Sequence, residues 1–280
     1  MIIAVASGKG GTGKTTISTN LALSLTDQVQ LLDCDVEEPN AHLFIKPEIL
    51  EKHTVTIPVP QIDRAICTLC GKCAKICAYN AIAIIAKQAM VFPELCHSCG
   101  ACKYFCPAGA IKEVNHEVGF TELGSKNNIQ FIHGQLNVGK AIAIPVIKAV
   151  KNHIDKTKTV IIDAPPGTTC PTIEAIKGSN FCLLVTEPTP FGLNDLILSV
   201  ATLKKINIPY GVIINRSNLG DNSTEQYCNQ EDIPILMRIK FDKKIAAAYS
   251  NGTPLINIYP EYRQHFGDLL KKIKTIVETP

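Results

Sequence analysis

Residues 8–15 read Gly8-Lys9-Gly10-Gly11-Thr12-Gly13-Lys14-Thr15. Glycines at this density admit the sharp turns that bring successive backbone N–H groups onto one anion. Before them Ile2-Ile3-Ala4-Val5-Ala6 is a short apolar run. After them Thr15 to Thr26 carries Ile17, Leu21, Leu23 and Leu25, as an amphipathic helix would. Strand, glycine turn and helix in that order set the loop at the positive end of a helix dipole, where phosphate oxygens are held. The octet fits G-x-x-x-x-G-K-[ST], a pattern that chance supplies in about one chain per hundred of this length. Lys14 is then placed to reach β- and γ-phosphate oxygens, and Thr15 to offer its hydroxyl to Mg²⁺. Gly8, Lys9, Gly10, Gly11, Thr12, Gly13, Lys14, Thr15 and Thr16 form the expected nucleotide-binding loop.

The alternation continues. Apolar runs at Val29–Leu32, Thr159–Ile162, Cys182–Val185, Gly211–Ile214 and Ile233–Met237 are accompanied by helical stretches near 171–178, 192–206 and 221–230. Such runs suit buried parallel strands covered by helices, so the expected fold class is α/β, a doubly wound, mostly parallel sheet. Asp33 and Asp35 follow one strand and Asp163 ends another, at the carboxyl edge where ligands sit. A water-orienting group or general base belongs at that edge. Asp163, followed by Ala164-Pro165-Pro166-Gly167, suits a carboxylate that holds Mg²⁺. Lys and Arg number 28 against 25 Asp and Glu, with no long basic run, so nucleic acid is not expected as a partner. The chain opens MIIAVASGKGG and contains no run of 18 uncharged apolar residues, so a cytoplasmic, soluble protein is expected.

Eight of the twelve cysteines fall between residues 67 and 106. Cys67-x-x-Cys70-Gly71-x-Cys73-x-x-x-Cys77 recurs as Cys96-x-x-Cys99-Gly100-x-Cys102-x-x-x-Cys106, and Asn80-Ala81-Ile82 answers Gly109-Ala110-Ile111. Residues 60–118 are thus two copies of one unit, with Pro58 and Pro60 before them and Gly119 and Gly124 after them as punctuation. The expected domains are 1–59 with 119–280, and an inserted 60–118. Thiols in a reducing compartment stay free, which points to metal rather than disulfides. Zinc, satisfied by four thiolates in a tetrahedron, and iron–sulfur clusters share that preference. Cys34, Cys170, Cys182 and Cys228 are scattered singly and read as small apolar residues.

Lys9-Gly10-Gly11-x-Gly13-Lys14-Thr15-Thr16, with its extra early lysine, resembles the deviant Walker-A loop of the MinD, ParA and nitrogenase iron-protein group of P-loop ATPases, the SIMIBI class. Asp33-Cys34-Asp35 is similar to that group's switch I, 163–167 to its switch II and Asn215-Arg216 to its base-binding position, so the resemblance spans the chain. It implies ATP or ADP with Mg²⁺, catalysis by Lys14, Asp35 and Lys9, and adenine bound by Asn215. Lys9 would cross a two-fold dimer to the partner's nucleotide, and Asp35 would handle the attacking water. Either a homodimer or a heterodimer with a paralogous ATPase satisfies this. The cysteine segment resembles bacterial two-cluster ferredoxins, small α+β domains in which the fourth cysteine of each run ligates the other cluster. The implied sets are Cys67, Cys70, Cys73 and Cys106 for one 4Fe-4S cluster, and Cys96, Cys99, Cys102 and Cys77 for the other. Pro107 follows Cys106 as in that pattern, while Ala78 stands after Cys77.

The whole looks like a MinD-superfamily ATPase with an inserted ferredoxin domain. The expected function is ATP hydrolysis coupled to electron transfer through the clusters toward a redox partner. An insertion between Asp35 and Asp163 is tied at both ends to loops that respond to the γ-phosphate. The alternative is a metallocofactor or iron–sulfur assembly carrier; a MinD- or ParA-like positioning switch is the minor one. Phe266, Leu269, Leu270, Ile273, Ile276 and Val277 form a C-terminal apolar stripe opposite Lys271, Lys272 and Lys274. Core packing, with no stable membrane anchor, is its expected use. If the ligand sets cross between runs, Cys106→Ser should damage the cluster of Cys67, Cys70 and Cys73; EPR showing selective loss of the cluster nearer in sequence would overturn the assignment.

Overall fold

The computed structural model describes residues 1–278. In chain order its elements are β1 (Ile2–Ala6), α1 (Lys14–Ser24), β2 (Val29–Asp33), α2 (His42–Ile45), β3 (Glu48–Ile62), α3 (Lys72–Ile76), β4 (Ile82–Ile85), β5 (Gln88–Val91), α4 (Ala101–Tyr104), β6 (Ile111–Lys126) and β7 (Ile129–Leu136). There follow α5 (Ile144–Lys151), β8 (Thr159–Asp163), α6 (Cys170–Ile176), β9 (Phe181–Thr186), α7 (Pro190–Ile206), β10 (Tyr210–Asn215), α8 (Ser223–Gln230), β11 (Ile235–Ile239), α9 (Lys243–Ser250), α10 (Leu255–Ile258) and α11 (Tyr262–Glu278).

The large sheet has the order β11-β10-β9-β1-β8-β2-β7-β6-β3. From β11 to β7 every neighbouring pair is parallel, and β6 and β3 close the sheet antiparallel. Both faces of the parallel strands are covered, which is why β1, β8, β9 and β10 run as near-continuous apolar sequences. On one face Leu32, Ile162 and Leu184 meet Val146 and Ile147 of α5 and Leu196 and Val200 of α7. On the other Val5, Leu31, Phe131 and Ile161 meet Ile17 and Leu21 of α1 and Phe266, Leu269 and Ile273 of α11. The C-terminal stripe is therefore spent on the core. Among the described residues no helix is long and apolar enough to cross a membrane.

Strands β3 and β6 form a ribbon paired from Glu48↔Ser125 to Ile62↔Ile111. Strand β6 pairs with β7 only from Gly119 to Lys126, so beyond Gly119 the ribbon leaves the sheet. A register slip between Val55 and Thr56 marks the same level, as bulges do where strands bend. Residues 63–110 sit at the far end of the ribbon and hold α3, α4 and the β4–β5 hairpin. The boundaries expected at 60 and 118 fall inside these continuous strands. Pro58 and Pro60 do not interrupt β3, because its outer edge has no partner strand and a missing N–H there removes no ladder bond. Strand β7 was not among the expected runs, since Gln130, His133, Gly134 and Gln135 break its apolar pattern.

At the exit point a Cβ on Gly119 would lie 2.3 Å from the Gln135 carbonyl oxygen and 2.9 Å from a Val146 methyl. Gly119→Ala should cost about 1–3 kcal/mol, the range for overpacking. Urea unfolding should show a lower midpoint with unchanged slope; an unaltered midpoint would mean that β6 and β7 separate freely here.

Candidate functional site

The glycine loop joins β1 to α1. Gly11 and Gly13 are left-handed, with φ of 77° and 97°, and a Cβ on Gly13 would lie 2.5 Å from the Asn215 amide nitrogen. No side chain caps α1, so its first backbone N–H groups remain for a ligand. Gly10, Gly11, Gly13, Lys14, Thr15, Thr16, Asp35 and Asn215 line one cleft of about 1350 Å³, counting its open mouth. Gly8, Lys9 and Thr12 line a separate small recess against Asp195. The cleft also takes in Phe241 and Tyr249, which sequence reasoning missed because they come from β11's following loop and α9, far along the chain.

Three carboxylates gather at the strand ends. Asp163 and Asp33 are register partners on β8 and β2, both wholly buried. Asp33 accepts hydrogen bonds from the backbone N–H of Asp35 (3.1 Å), Asn40 (3.1 Å) and Ala41 (3.0 Å), folding the 33–41 loop around itself. It is thus a structural carboxylate, and Asp35 is the one that faces the cleft. Neither oxygen of Asp163 has a partner in hydrogen-bonding geometry, although the Thr15 hydroxyl lies near enough to favour its charged form. Burial pushes the Asp163 carboxyl up to about 7, against the Thr15 hydroxyl and the Lys14 ammonium. Burial also raises Asp35 to about 6, opposed by Lys14, and with the Asp163 charge it lifts Asp33 well above the usual carboxylate range. Lys14 is lowered by burial and held up by the three aspartates. A buried carboxylate without a partner, beside a threonine hydroxyl, is a donor set that fits Mg²⁺.

Lys9 is engaged within its own chain. Its ammonium lies 3.5 Å from Glu187, and the Arg216 guanidinium lies 2.7 Å from the other Glu187 oxygen, close but poorly aligned as a hydrogen bond. Asn215 donates its amide to the Thr12 carbonyl (2.8 Å) and accepts from the Arg216 N–H (2.9 Å). It therefore ties the end of β10 to the glycine loop.

At the end of the ribbon the two cysteine runs repeat in backbone as in sequence. Leu69 and Ser98 have φ of 56° and 55°, and Gly71 and Gly100 have 72° each. The Ala81 N–H donates to the Cys77 sulfur and the Ala110 N–H to the Cys106 sulfur, each at 3.3 Å. Cys67, Cys70, Cys73 and Cys106 line one open cavity of about 340 Å³, and Cys77, Cys96, Cys99 and Cys102 a second of about 410 Å³. Each cavity takes three cysteines from one run and one from the other. Among the described residues no three His, Cys, Asp or Glu side chains converge on a point that could hold a single metal ion. Backbone N–H groups on sulfur and four thiols around a volume rather than a point form a donor set that fits a polynuclear cluster. His97 stacks on Tyr79 at the second cavity, centroids 3.7 Å apart. Cys34, Cys182 and Cys228 are buried, whereas Cys170, expected to be buried, is exposed at the start of α6.

A parallel sheet with an uncapped glycine turn, a buried lysine and carboxylates at its carboxyl edge defines a P-loop nucleotide-binding protein. The chain matches the CobQ/CobB/MinD/ParA nucleotide binding domain over residues 3–255 and belongs to that family of P-loop ATPases. It is 31% identical to an uncharacterised protein of Methanocaldococcus jannaschii, over 99% of this chain and 98% of the relative. An iron–sulfur cluster carrier protein of the same organism is 24% identical over 99% of this chain and 84% of the carrier. The septum site-determining protein MinD of Pyrococcus horikoshii, solved with Mg-ADP, shares the fold at a TM-score of 0.58, with 22% identity over 99% of this chain and 97% of that one.

A carboxyl whose native pKa exceeds its unfolded one binds more protons folded than unfolded, so its contribution is present at low pH and lost as pH rises from 3.8 through about 7. Without nucleotide or Mg²⁺, Asp163→Asn should therefore raise the thermal midpoint over the wild type at about pH 8, with the two converging at about pH 4. Calorimetry showing no gain at the higher pH would remove the buried uncompensated charge from the account.

Proposed function

We propose that the chain is a Mg-ATP hydrolase that works on iron–sulfur clusters. The observation that carries this is the union, in one chain, of a phosphate cleft lined by Lys14, Thr15 and Asp35, with the unpartnered Asp163 carboxylate buried beside Thr15, and two cavities each ringed by four cysteines. The loop N–H groups and Lys14 would hold the β- and γ-phosphates, and Thr15 and Asp163 would hold Mg²⁺. Asp35 would orient the attacking water. Asn215 would exchange the Thr12 carbonyl for adenine. Lys9, released from Glu187, would reach the nucleotide of a second copy or of a paralogous subunit. Cys67, Cys70, Cys73 and Cys106 would hold one 4Fe-4S cluster, and Cys77, Cys96, Cys99 and Cys102 the other. When bound, such clusters accept and release single electrons.

The relatives named iron–sulfur cluster carriers favour assembly or delivery of clusters to partner proteins over electron transfer. The exposure of Cys70 and Cys99, one at each cavity, suits hand-over. Electron transfer gated by nucleotide, the use expected first from the sequence, is favoured by the completeness of each four-cysteine set, which suits retention.

Anaerobic reconstitution followed by incubation with an apo-ferredoxin separates the two. ATP-stimulated transfer, absent in Lys14→Ala, supports delivery. Clusters that stay in place while their EPR-monitored midpoints differ between Mg-ADP and a non-hydrolysable Mg-ATP analogue support electron transfer; failure to bind Mg-ATP overturns both. Lys9→Ala should lower hydrolysis by about a hundredfold, as for loss of one transition-state donor, while sparing analogue binding.

A further inference from the structure

A row of polar side chains crosses the sheet at one level, from the phosphate cleft to the ribbon. In register, Asp163 on β8 stands beside Asp33 on β2, Asp33 beside His133 on β7, His133 beside Glu122 on β6, and Glu122 beside Lys52 on β3. At about 4.8 Å between strands, the row spans about 19 Å. Register partners share a face, here the face covered by α1 and α11.

Side-chain hydrogen bonds join the outer half of the row, while Asp163 and Asp33 adjoin only as register partners on paired strands. His133 Nε2 lies 2.9 Å from Glu122 Oε2, and Lys52 Nζ donates to Glu122 Oε1 at 3.0 Å while sitting 3.4 Å over the Phe120 ring. Between Asp33 and His133 the connection runs through the switch loop. Asp33 holds the N–H groups of Asn40 and Ala41, and the next residue, His42, sets its ring against His133 at 5.4 Å and 61°. His133 is only 5% exposed, and the Nδ1 atoms of both histidines are buried without partners. Burying Asp163, Asp33 and His133 in one row costs stability that apolar side chains would retain. Packing alone does not call for it.

We infer that His133 is a positioning residue that passes the state of the 33–42 loop to the root of the ribbon. This rests on the ATPase reading. When nucleotide engages Asp35 and Asp163, the loop that Asp33 pins moves, His42 shifts against His133, and the Glu122–Lys52 pair reseats β6 against β3. Residues 63–110 hang from those two strands, so the cysteine cavities move with them.

Hydrogen exchange read by mass spectrometry on the full chain tests this, with no nucleotide, Mg-ADP and a non-hydrolysable Mg-ATP analogue. In the wild type, residues 48–62 and 111–126 should exchange differently between the two nucleotides. His133→Phe and Glu122→Gln should lose that difference while residues 8–16 keep their protection. A merely structural row would speed exchange equally in every state. Lys52→Met, altered at the solvent-facing end, serves if His133→Phe does not fold. The inference is overturned if the wild-type ribbon is indifferent to nucleotide while residues 8–16 respond, or if every variant keeps the response. If residues 8–16 gain no protection in the wild type, the ATPase reading falls and takes the inference with it.

Discussion

Two carboxylates buried side by side at the ends of β2 and β8 repel one another in a medium that screens poorly. The molecule relieves one of them internally, by turning the backbone N–H groups of residues 35, 40 and 41 onto Asp33. It leaves the other without a partner and puts a buried lysine nearby. That asymmetry leaves one buried carboxylate open to a cation beside the glycine loop. It also fixes the path of the switch loop, because the loop is wrapped around the satisfied carboxylate.

The sheet converts this local tension into geometry. Seven parallel strands carry the phosphate site at their carboxyl ends, and the last of them, β7, hands over to an antiparallel pair. The parallel part is covered on both faces. Past Gly119 the pair has only its own ladder for strand pairing, while Val55, Ile57, Val59 and Val118 keep one side of it packed on the core. The cysteine-lined cavities thus hang from the sheet that carries the glycine loop by a joint that is one glycine and one bulge.

What the sequence made legible was whatever chemistry is written locally. A glycine loop needs its glycines within eight residues, and a thiolate run needs its cysteines within eleven, so both could be read without knowing the fold. The central strands were legible because burial on two faces forces unbroken apolar runs. Strands β3 and β7 were not, because their residues answer to partners rather than to a periodic pattern. Glu48, Glu51 and Lys52 look like a solvated stretch until β6 is laid beside them. Glu187 beside Lys9, Tyr249 in the cleft and His133 beside Asp33 are all meetings of distant segments, and register is a property no single strand encodes. The exposure of Cys170 is not written in its neighbours, because a helix start can face outward as readily as inward.

Strand β3 ends the large sheet, and a long unpaired edge invites growth by a neighbouring molecule. Its first half carries Glu48, Glu51, Lys52 and His53, all exposed, and its second half carries Pro58 and Pro60. Charge deters docking over one stretch, and the missing amide hydrogens spoil it over the other. Only Ile49 and Leu50 interrupt that protection among the exposed large apolar side chains of β3. A second copy arriving at that edge meets charges and prolines in place of a continuous row of free amides, so the sheet is a poor template for its own growth.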